Sequence, residues 1–250
     1  MTVSAQAYLE QVQAAVSRVG ETQRKAVDAA AELIVASLRN GGVVQAFGSG
    51  HSEALAMELA GRAGGLVPSN RLALRDLVIY GGEPPEFLQD AKLERDPSVA
   101  QRIYDLARVE PADVFVIASN SGINGSVVEL ARVVKAKGHG LIAVTSAEQS
   151  VKLPSRHPSG QRLIDLADVV LDNGAPYGDA VLPLPNGGAV CALSSITGAL
   201  LAQMVTAEVV RRLLAAGDTP PVYLSANVPG GDEHNQVLES RYAGRIRRTA

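Results

Sequence analysis

The stretch that decides the fold is Asp113-Val-Phe-Val-Ile-Ala-Ser119-Asn-Ser121-Gly122-Ile-Asn124-Gly125-Ser126. Its first half is rich in β-branched and aromatic residues, which favours a β-strand. Its second half is made of small polar residues and leads directly into an apolar helix predicted over residues 127–137. The free N–H groups at a helix N-terminus and the helix dipole both attract an anion to such a turn. The pattern therefore predicts an anion-binding loop, with an ordinary tight turn as the alternative.

A second turn of the same kind occurs earlier in the chain. A short strand predicted at residues 43–47 ends in Gly48-Ser49-Gly50-His51-Ser52, and a helix is predicted over residues 53–62. Its glycines permit tight turning and close approach to a ligand. It is not a dinucleotide fingerprint, because Glu53 stands where that pattern needs its third glycine. Neither turn contains the Lys of a loop that binds nucleoside triphosphates.

The rest of the chain alternates strands with helices. Further strands are predicted at residues 66–67, 77–80, 141–145, 169–171 and 180–184, and further helices at residues 4–19, 21–39, 86–93, 98–109 and 189–213 and in the tail. Gly20 separates the first two helices, and residues 146–163 read as a polar, mobile loop. The alternation predicts an α/β fold with helices on both faces of a mostly parallel sheet. Both polar turns would then lie at the carboxyl ends of strands, where such sheets bind ligands.

Composition and charge narrow the class of protein. The chain has 250 residues, of which 46% are hydrophobic and 20% are charged, and its formal net charge is -3. These values suit a folded domain with a sizeable core and give no electrostatic basis for binding nucleic acid. The first 40 residues carry four basic and four acidic side chains, so they do not form a basic DNA-binding headpiece.

We expect no disulfide, no metal centre and no cofactor. Cys191 is the single cysteine, and it lies in an apolar run that predicts a buried thiol. The four histidines are scattered along the chain, which does not suit a metal site. We expect His139, at a helix end, and His157, in a loop, to face solvent.

No segment has the pattern of a signal peptide or of a membrane span. The longest apolar run, residues 189–210, is interrupted by the polar side chains of Ser194, Ser195, Thr197, Gln203 and Glu208. We therefore expect a cytoplasmic protein that does not enter a membrane. Because the run predicts a long helix with little charge, we also expect a homodimer or a higher homo-oligomer.

The two turns resemble the motifs of the sugar isomerase (SIS) domain family. The first is similar to its Gly-x-Gly-x-Ser turn, and the second to its Ser-x-Ser-Gly-x-Thr/Ser phosphate loop. Asn124 stands in place of the usual hydroxyl, but its amide can still donate. The chain is similar to stand-alone bacterial members, with phosphoheptose isomerase and N-acetylmuramic acid 6-phosphate etherase as the nearest shapes.

The resemblance extends over roughly residues 30–215 and implies a fold and a ligand. The implied fold is a three-layer α/β sandwich with a mostly parallel, five-stranded, flavodoxin-like sheet. It divides the chain into a helical lead-in (1–40), a phosphosugar-binding domain (41–216) and a tail with a short helix (217–250). The implied partner is a small sugar phosphate. Its phosphate would be bound by Ser49, Ser52, Ser119, Ser121, Asn124 and Ser126.

The resemblance also implies proton abstraction next to the sugar carbonyl, which requires a carboxylate or imidazole base. Glu58 is the first candidate, on the helix after the first turn, with a helix ion pair to Arg62 as its alternative role. Glu94 is the second candidate, with a surface carboxylate as the alternative. His234, in a polar cluster of the tail, is the third, with helix capping as the alternative. His51 is a candidate contact for substrate oxygens.

One difference from the phosphoheptose-type isomerases bears on the outcome of the proton abstraction. The phosphoheptose-type isomerases carry a histidine on the long C-terminal helix, and the corresponding helix here has none. This favours a lyase or dehydratase that abstracts the C2 proton of a hexosamine 6-phosphate, such as N-acetylglucosamine 6-phosphate, and eliminates a group from C3. An aldose–ketose phosphosugar isomerase and a non-catalytic phosphosugar sensor are the alternatives.

Overall fold

A sheet of five parallel strands lies at the centre of the fold, in a computed structural model that describes residues 3–247. Its strands are β1 (Val44–Gly48), β2 (Ser69–Leu72), β3 (Val114–Ala118), β4 (Gly140–Thr145) and β5 (Val169–Asp172). A separate antiparallel hairpin is formed by β6 (Ala180–Pro183) and β7 (Ala189–Ala192). The helices are α1 (Ala5–Thr22), α2 (Arg24–Arg39), α3 (Glu53–Leu59), α4 (Asp76–Ile79), α5 (Val99–Leu106), α6 (Gly125–Ala136), α7 (Ala147–Lys152), α8 (Leu163–Leu166), α9 (Ser194–Ala215) and α10 (Gly231–Glu239). Short 3-10 helices occur at Gly50–Ser52, Pro85–Gln89, Leu93–Arg95 and Ser240–Tyr242.

The strand order β2-β1-β3-β4-β5 confirms the predicted flavodoxin-like sheet. Each neighbouring pair is parallel. Strands β1 and β3 are buried along their whole length, as expected for strands covered by helices on both faces. The order reverses between β1 and β3, and this reversal opens a crevice beyond the ends of those two strands.

Alternate residues of each strand supply two separate cores. One core packs α2, α3 and α9 on a sheet face that includes Val44, Ala46 and Val116. The other packs α5, α6 and α8 on the opposite face, which includes Phe47 and Phe115. The three-layer arrangement is therefore confirmed, and α2, from the predicted lead-in, is part of its first layer.

Several predicted elements are wrong in the first half of the chain. Gly20 lies inside α1, and the two helices separate at Gln23. Residues 77–80, predicted as a strand, fall mostly in α4, and the edge strand is β2 instead. The helix predicted at 86–93 is replaced by two 3-10 turns. Short apolar runs fit a strand or a buried helical turn equally well, so their pattern does not decide between the two.

The second half of the chain needs two corrections. The loop predicted at 146–163 contains α7, which begins after a Ser146 side-chain cap on the N–H of Gln149. The long helix begins at Ser194 rather than at 189, because residues 189–192 pair with β6. Cys191 therefore lies half-buried in a hairpin strand, with a φ of 70°, and not in the core as predicted.

His139 is buried, contrary to its predicted exposure. Only 4% of it is accessible. Its Nδ1–H donates to the Asp113 carbonyl at 3.1 Å, and its Nε2 accepts from the Tyr104 hydroxyl at 2.7 Å. Burial lowers the pKa of His139, since the surroundings disfavour the charged ring. His157 is also largely covered, with its Nε2 at 2.8 Å from the Glu129 carboxylate.

The tail closes over the end of the sheet where the strands begin. Val222 forms a bridge with Leu66, just before β2. Arg245 reaches the Asp113 carboxylate, which is completely buried and also accepts from the N–H of Val43 and from the Gln45 amide, both at 2.9 Å. Buried carboxylates require such partners, so the tail satisfies polar groups that the sheet itself leaves open.

The buried histidine predicts an acid-sensitive fold. Because the folded-state pKa of His139 is depressed, the unfolded chain binds more protons as pH falls through the ordinary histidine range. Stability from this group is present above that range and is lost below it. We expect the free energy of unfolding in urea to fall more between pH 7.5 and pH 5.5 for the native protein than for His139→Gln. Equal slopes for the two proteins would contradict this origin of the acid sensitivity.

Candidate functional site

A polar cleft opens at the carboxyl ends of β1, β3, β4 and β5, next to the start of α9. Its cavity volume is about 30 Å³, and its polar lining includes His51, Ser52, Asn120, Asn173, Ser194 and Ser195. This is the crevice at which the strand order reverses, the usual ligand position in open α/β sheets. Of the residues predicted to contact substrate, the structure brings His51 and Ser52 into its wall.

The first turn is shaped by two glycines between β1 and α3. A side chain at Gly48 would overlap the Ser52 carbonyl group, because the chain folds back directly over this position. Gly50 has a φ of 55°, in the left-handed region that favours glycine. The turn therefore presents Ser49, His51 and Ser52 within a few residues of the strand end.

The second turn, residues 119–126, is fixed by hydrogen bonds that its backbone carbonyl groups accept from another segment. The segment that follows β4 donates to four consecutive carbonyl oxygens of this turn. The donors are the Ser146 N–H to Asn120 (3.0 Å), the Ser150 hydroxyl to Ser121 (2.9 Å), the Leu163 N–H to Gly122 (2.8 Å) and the Arg156 N–H to Ile123 (3.0 Å). With its carbonyl groups fixed on one side, the loop directs N–H groups to the other side.

These N–H groups form what we name the amide nest, the backbone N–H groups of residues 121 and 123–127. Within residues 3–247 the structure shows no backbone or side-chain acceptor for them. The Gly122 N–H differs, since it donates to the Ser119 hydroxyl at 3.1 Å. Part of the nest is the first turn of α6, where the helix dipole adds partial positive charge. The nest is suited to an anion.

Glu94 lies between the two turns. Its Oε1 accepts from the Asn124 amide at 3.0 Å, and its Oε2 from the Ser49 hydroxyl at 3.4 Å. The Ser126 hydroxyl donates to the Glu94 carbonyl at 2.7 Å. A side chain at Gly125 would overlap the Arg95 carbonyl group, so the 3-10 turn of Glu94 packs directly on the start of α6. Two predicted phosphate ligands, Asn124 and Ser49, thus bind the carboxylate of a predicted catalytic residue, and a third, Ser126, binds the backbone of the same residue.

Two other predicted catalytic residues lie elsewhere in this chain. Glu58 accepts from the Gln203 amide at 2.6 Å and pairs with Arg62, so its carboxylate faces α9 and the segment that follows α3. His234, on α10, donates to the Val222 carbonyl at 3.0 Å, in the tail that packs near the beginning of β2. Their catalytic roles remain predictions, and the single chain does not place them beside Glu94.

Sequence reasoning missed a chain of amides behind the cleft. The Asn173 amide donates to Asn120 at 2.9 Å, and the Asn120 amide donates to Gln149 at 3.1 Å. Asn173 follows β5 directly, so its place at the end of a parallel strand was the available signal. Arg156, which donates to the Asn124 side chain at 3.0 Å, was also missed, because a single arginine in a loop has no periodicity.

Residues 3–247 contain neither a cluster of metal ligands nor a membrane-spanning helix. No group of three or more His, Cys, Asp or Glu among residues 3–247 is placed to hold a metal ion. No helix in the same range is long and apolar enough to cross a membrane.

The comparisons with known proteins agree with this geometry. A family model described as the SIS domain matches residues 7–146, more than half of the chain. The chain belongs to the SIS domain family. The predicted family is thereby confirmed, and the match includes both polar turns.

Relatives of this SIS domain protein include bacterial chains of similar length. A UPF0309 protein of Listeria monocytogenes is 41% identical over 227 residues, covering 90% of this chain and 92% of the relative. A UPF0309 protein of Caldanaerobacter subterraneus subsp. tengcongensis is 36% identical over 244 residues, covering 96% and 98%. The resemblance thus extends over nearly the full length of both chains.

Solved structures share the fold at low identity. A phosphoheptose isomerase from Francisella tularensis has a TM-score of 0.56 at 16% identity, covering 82% of this chain and 95% of that chain. An Escherichia coli CFT073 protein solved in complex with A5P has a TM-score of 0.53 at 18% identity, covering 82% and 87%. These matches confirm the SIS fold of the chain.

The packing of Gly125 against Arg95 predicts opposite effects for two Gly→Ala substitutions. Gly125→Ala would force the turn of Glu94 away from α6, and we expect it to cost about 1–3 kcal/mol in the free energy of unfolding. Gly20→Ala, inside α1 with nothing within 4 Å of the added carbon, should instead stabilise by roughly 0.5–1 kcal/mol. Urea unfolding measures both, and a neutral Gly125→Ala would contradict the packing described.

Proposed function

We propose that the protein is a phosphosugar enzyme that removes the C2 proton of a hexosamine 6-phosphate, with elimination at C3 as the favoured outcome. The observation that carries the proposal is the position of the Glu94 carboxylate beside the amide nest. An anion site and a base held close to each other are what this chemistry requires. The alternatives are aldose–ketose isomerisation and phosphosugar sensing without catalysis.

The amide nest would bind the phosphate, with help from the hydroxyls of Ser119 and Ser121 and those of Ser49 and Ser52 in the first turn. The Ser126 hydroxyl donates to the Glu94 carbonyl, so it would become a phosphate ligand only by releasing that carbonyl. Backbone N–H groups at the start of α6 supply hydrogen bonds and positive potential together. Support comes from the fold neighbours, of which one is named a phosphoheptose isomerase and another was solved with A5P, a sugar phosphate. The sugar would extend into the cleft lined by His51 and Asn173.

Glu94 is the proposed base. Its carboxylate takes the proton from C2, and the electron pair of the C–H bond moves toward the neighbouring carbonyl oxygen to form an enolate. The enolate then collapses to a C2–C3 double bond, and the C3 substituent leaves with its bonding electrons. The protonated Glu94 returns its proton to that leaving oxygen, which balances the step. On a substrate with a hydroxyl at C2, protonation at C1 together with transfer of the O2 proton to O1 would give the isomerase outcome instead.

Elimination is favoured because α9 carries no histidine along Ser194–Ala215. Glu58 and His234 remain secondary candidates, and His234 would act only on the cleft of another subunit. A homodimer is part of the proposal. Two exposed apolar side chains beside the cleft, Met57 on α3 and Ile196 on α9, support it, since a partner could cover them.

The proposal predicts proton exchange at C2 of N-acetylglucosamine 6-phosphate. In D₂O we expect loss of the C2 proton signal by NMR, followed by an unsaturated product. Glu94→Gln should slow the exchange by about 100-fold or more, the usual contribution of a positioned base, while phosphosugar binding is retained. Glu83→Gln, in the same segment but paired with Arg102, is the matched control and should exchange normally. Binding with no exchange by the native protein would favour the sensor, and an unaffected Glu94→Gln would move the base to Glu58.

A further inference from the structure

Arg156 is a cationic side chain next to the amide nest. It is exposed, in the segment between α7 and α8, and its Nη1 donates to Asn124 Oδ1 at 3.0 Å. Among residues 3–247 the structure shows no carboxylate paired with it, whereas Arg132 and Arg162 of the same region pair with Glu129 and Asp165. Most of its guanidinium donors therefore remain available beside the nest.

The segment that carries Arg156 is held in place. The Arg156 N–H donates to the Ile123 carbonyl at 3.0 Å, inside the second turn itself. The Ser155 hydroxyl donates to the Gln161 carbonyl at 2.6 Å, and His157 anchors the segment to Glu129 on α6. The guanidinium is consequently fixed relative to the nest, in a region where the sequence predicted a mobile loop.

The guanidinium also determines how Asn124 is oriented. A guanidinium only donates, so it selects the oxygen of the Asn124 side chain. The Asn124 nitrogen is then directed to Glu94, at 3.0 Å. A hydroxyl, which the family pattern has here, rotates freely and needs no such partner. Asn124 and Arg156 together therefore replace it with a fixed donor and a positive charge.

We propose that Arg156 selects a doubly charged phosphate ester as the ligand of the amide nest, an inference that rests on the proposed function. The Glu94 carboxylate, a few ångströms away, opposes the entry of any anion. A nest of neutral N–H groups offsets one negative charge only in part. A fork-shaped guanidinium beside it compensates for this repulsion and matches phosphate oxygens in geometry. Arg156 is thus a specificity-determining residue that touches the phosphate.

Calorimetric titration with N-acetylglucosamine 6-phosphate and with unphosphorylated N-acetylglucosamine tests the inference. For Arg156→Gln we expect at least about tenfold weaker binding of the phosphate ester, the value of a charged hydrogen bond, with no change for the neutral sugar. Arg156→Lys, which keeps the charge but not the fork, should recover part of the loss. Lys152→Gln, which removes an equal charge from α7 at an ion pair with Glu148, should bind as the native protein does.

A structural role alone would give a different result. Unfolding in urea should be similar for Arg156→Gln and the native protein, so a loss of binding with unchanged stability supports direct contact. If the native protein binds the phosphate ester and Arg156→Gln binds it equally well, the inference is overturned and the proposed function stands. If Lys152→Gln loses as much affinity, bulk charge explains the effect and the inference is also overturned. If the native protein binds no sugar phosphate, both proposals are wrong.

Discussion

The hydrogen bonds to the carbonyl groups of residues 120–123 are the constraint on which the rest of the site depends. If the loop could change its conformation, some of its six unbonded N–H groups would turn toward carbonyl oxygens of the loop itself. Here four donors from one segment, residues 146–163, remove that freedom. The nest is therefore organised before a ligand arrives, and little of the binding energy is needed to order it.

A second constraint brings a carboxylate into close contact with anion donors at this site. The turn of Glu94 can pack on α6 because Gly125 has no side chain and because Ser126 binds the Glu94 carbonyl. A carboxylate is thereby held against a set of anion donors. In isolation such a carboxylate would block the donors that it contacts. The Asn124 side chain lies between the Glu94 carboxylate and the Arg156 guanidinium. Its nitrogen donates to Glu94 and its oxygen accepts from Arg156, so both charged groups have a hydrogen-bond partner.

The sequence predicts the strands β1, β3, β4 and β5 and the two turns well because their signals are local. Val114–Ala118 is a buried parallel strand, and such strands appear as uninterrupted apolar runs. The order of residues does not show which apolar segments pair as strands. Residues 189–192 therefore fit the pattern of a long helix, although they pair with β6. Glu58 has one partner close in sequence, Arg62, and one distant in sequence, Gln203, and only the first is visible as spacing. Arg156 contributes through tertiary contacts alone, for which no sequence periodicity exists.

The link between Asp113 and the tail has a consequence for the order of folding. The sheet is formed by residues 44–172, yet the guanidinium that pairs with its buried Asp113 belongs to Arg245. The N–H of Arg247 likewise donates to the Asn70 side-chain oxygen at 3.1 Å. A nascent chain that has formed all five strands still holds a desolvated carboxylate short of one partner. The sheet can assemble early during synthesis, but its polar end is completed only when a segment more than seventy residues downstream of β5 has emerged.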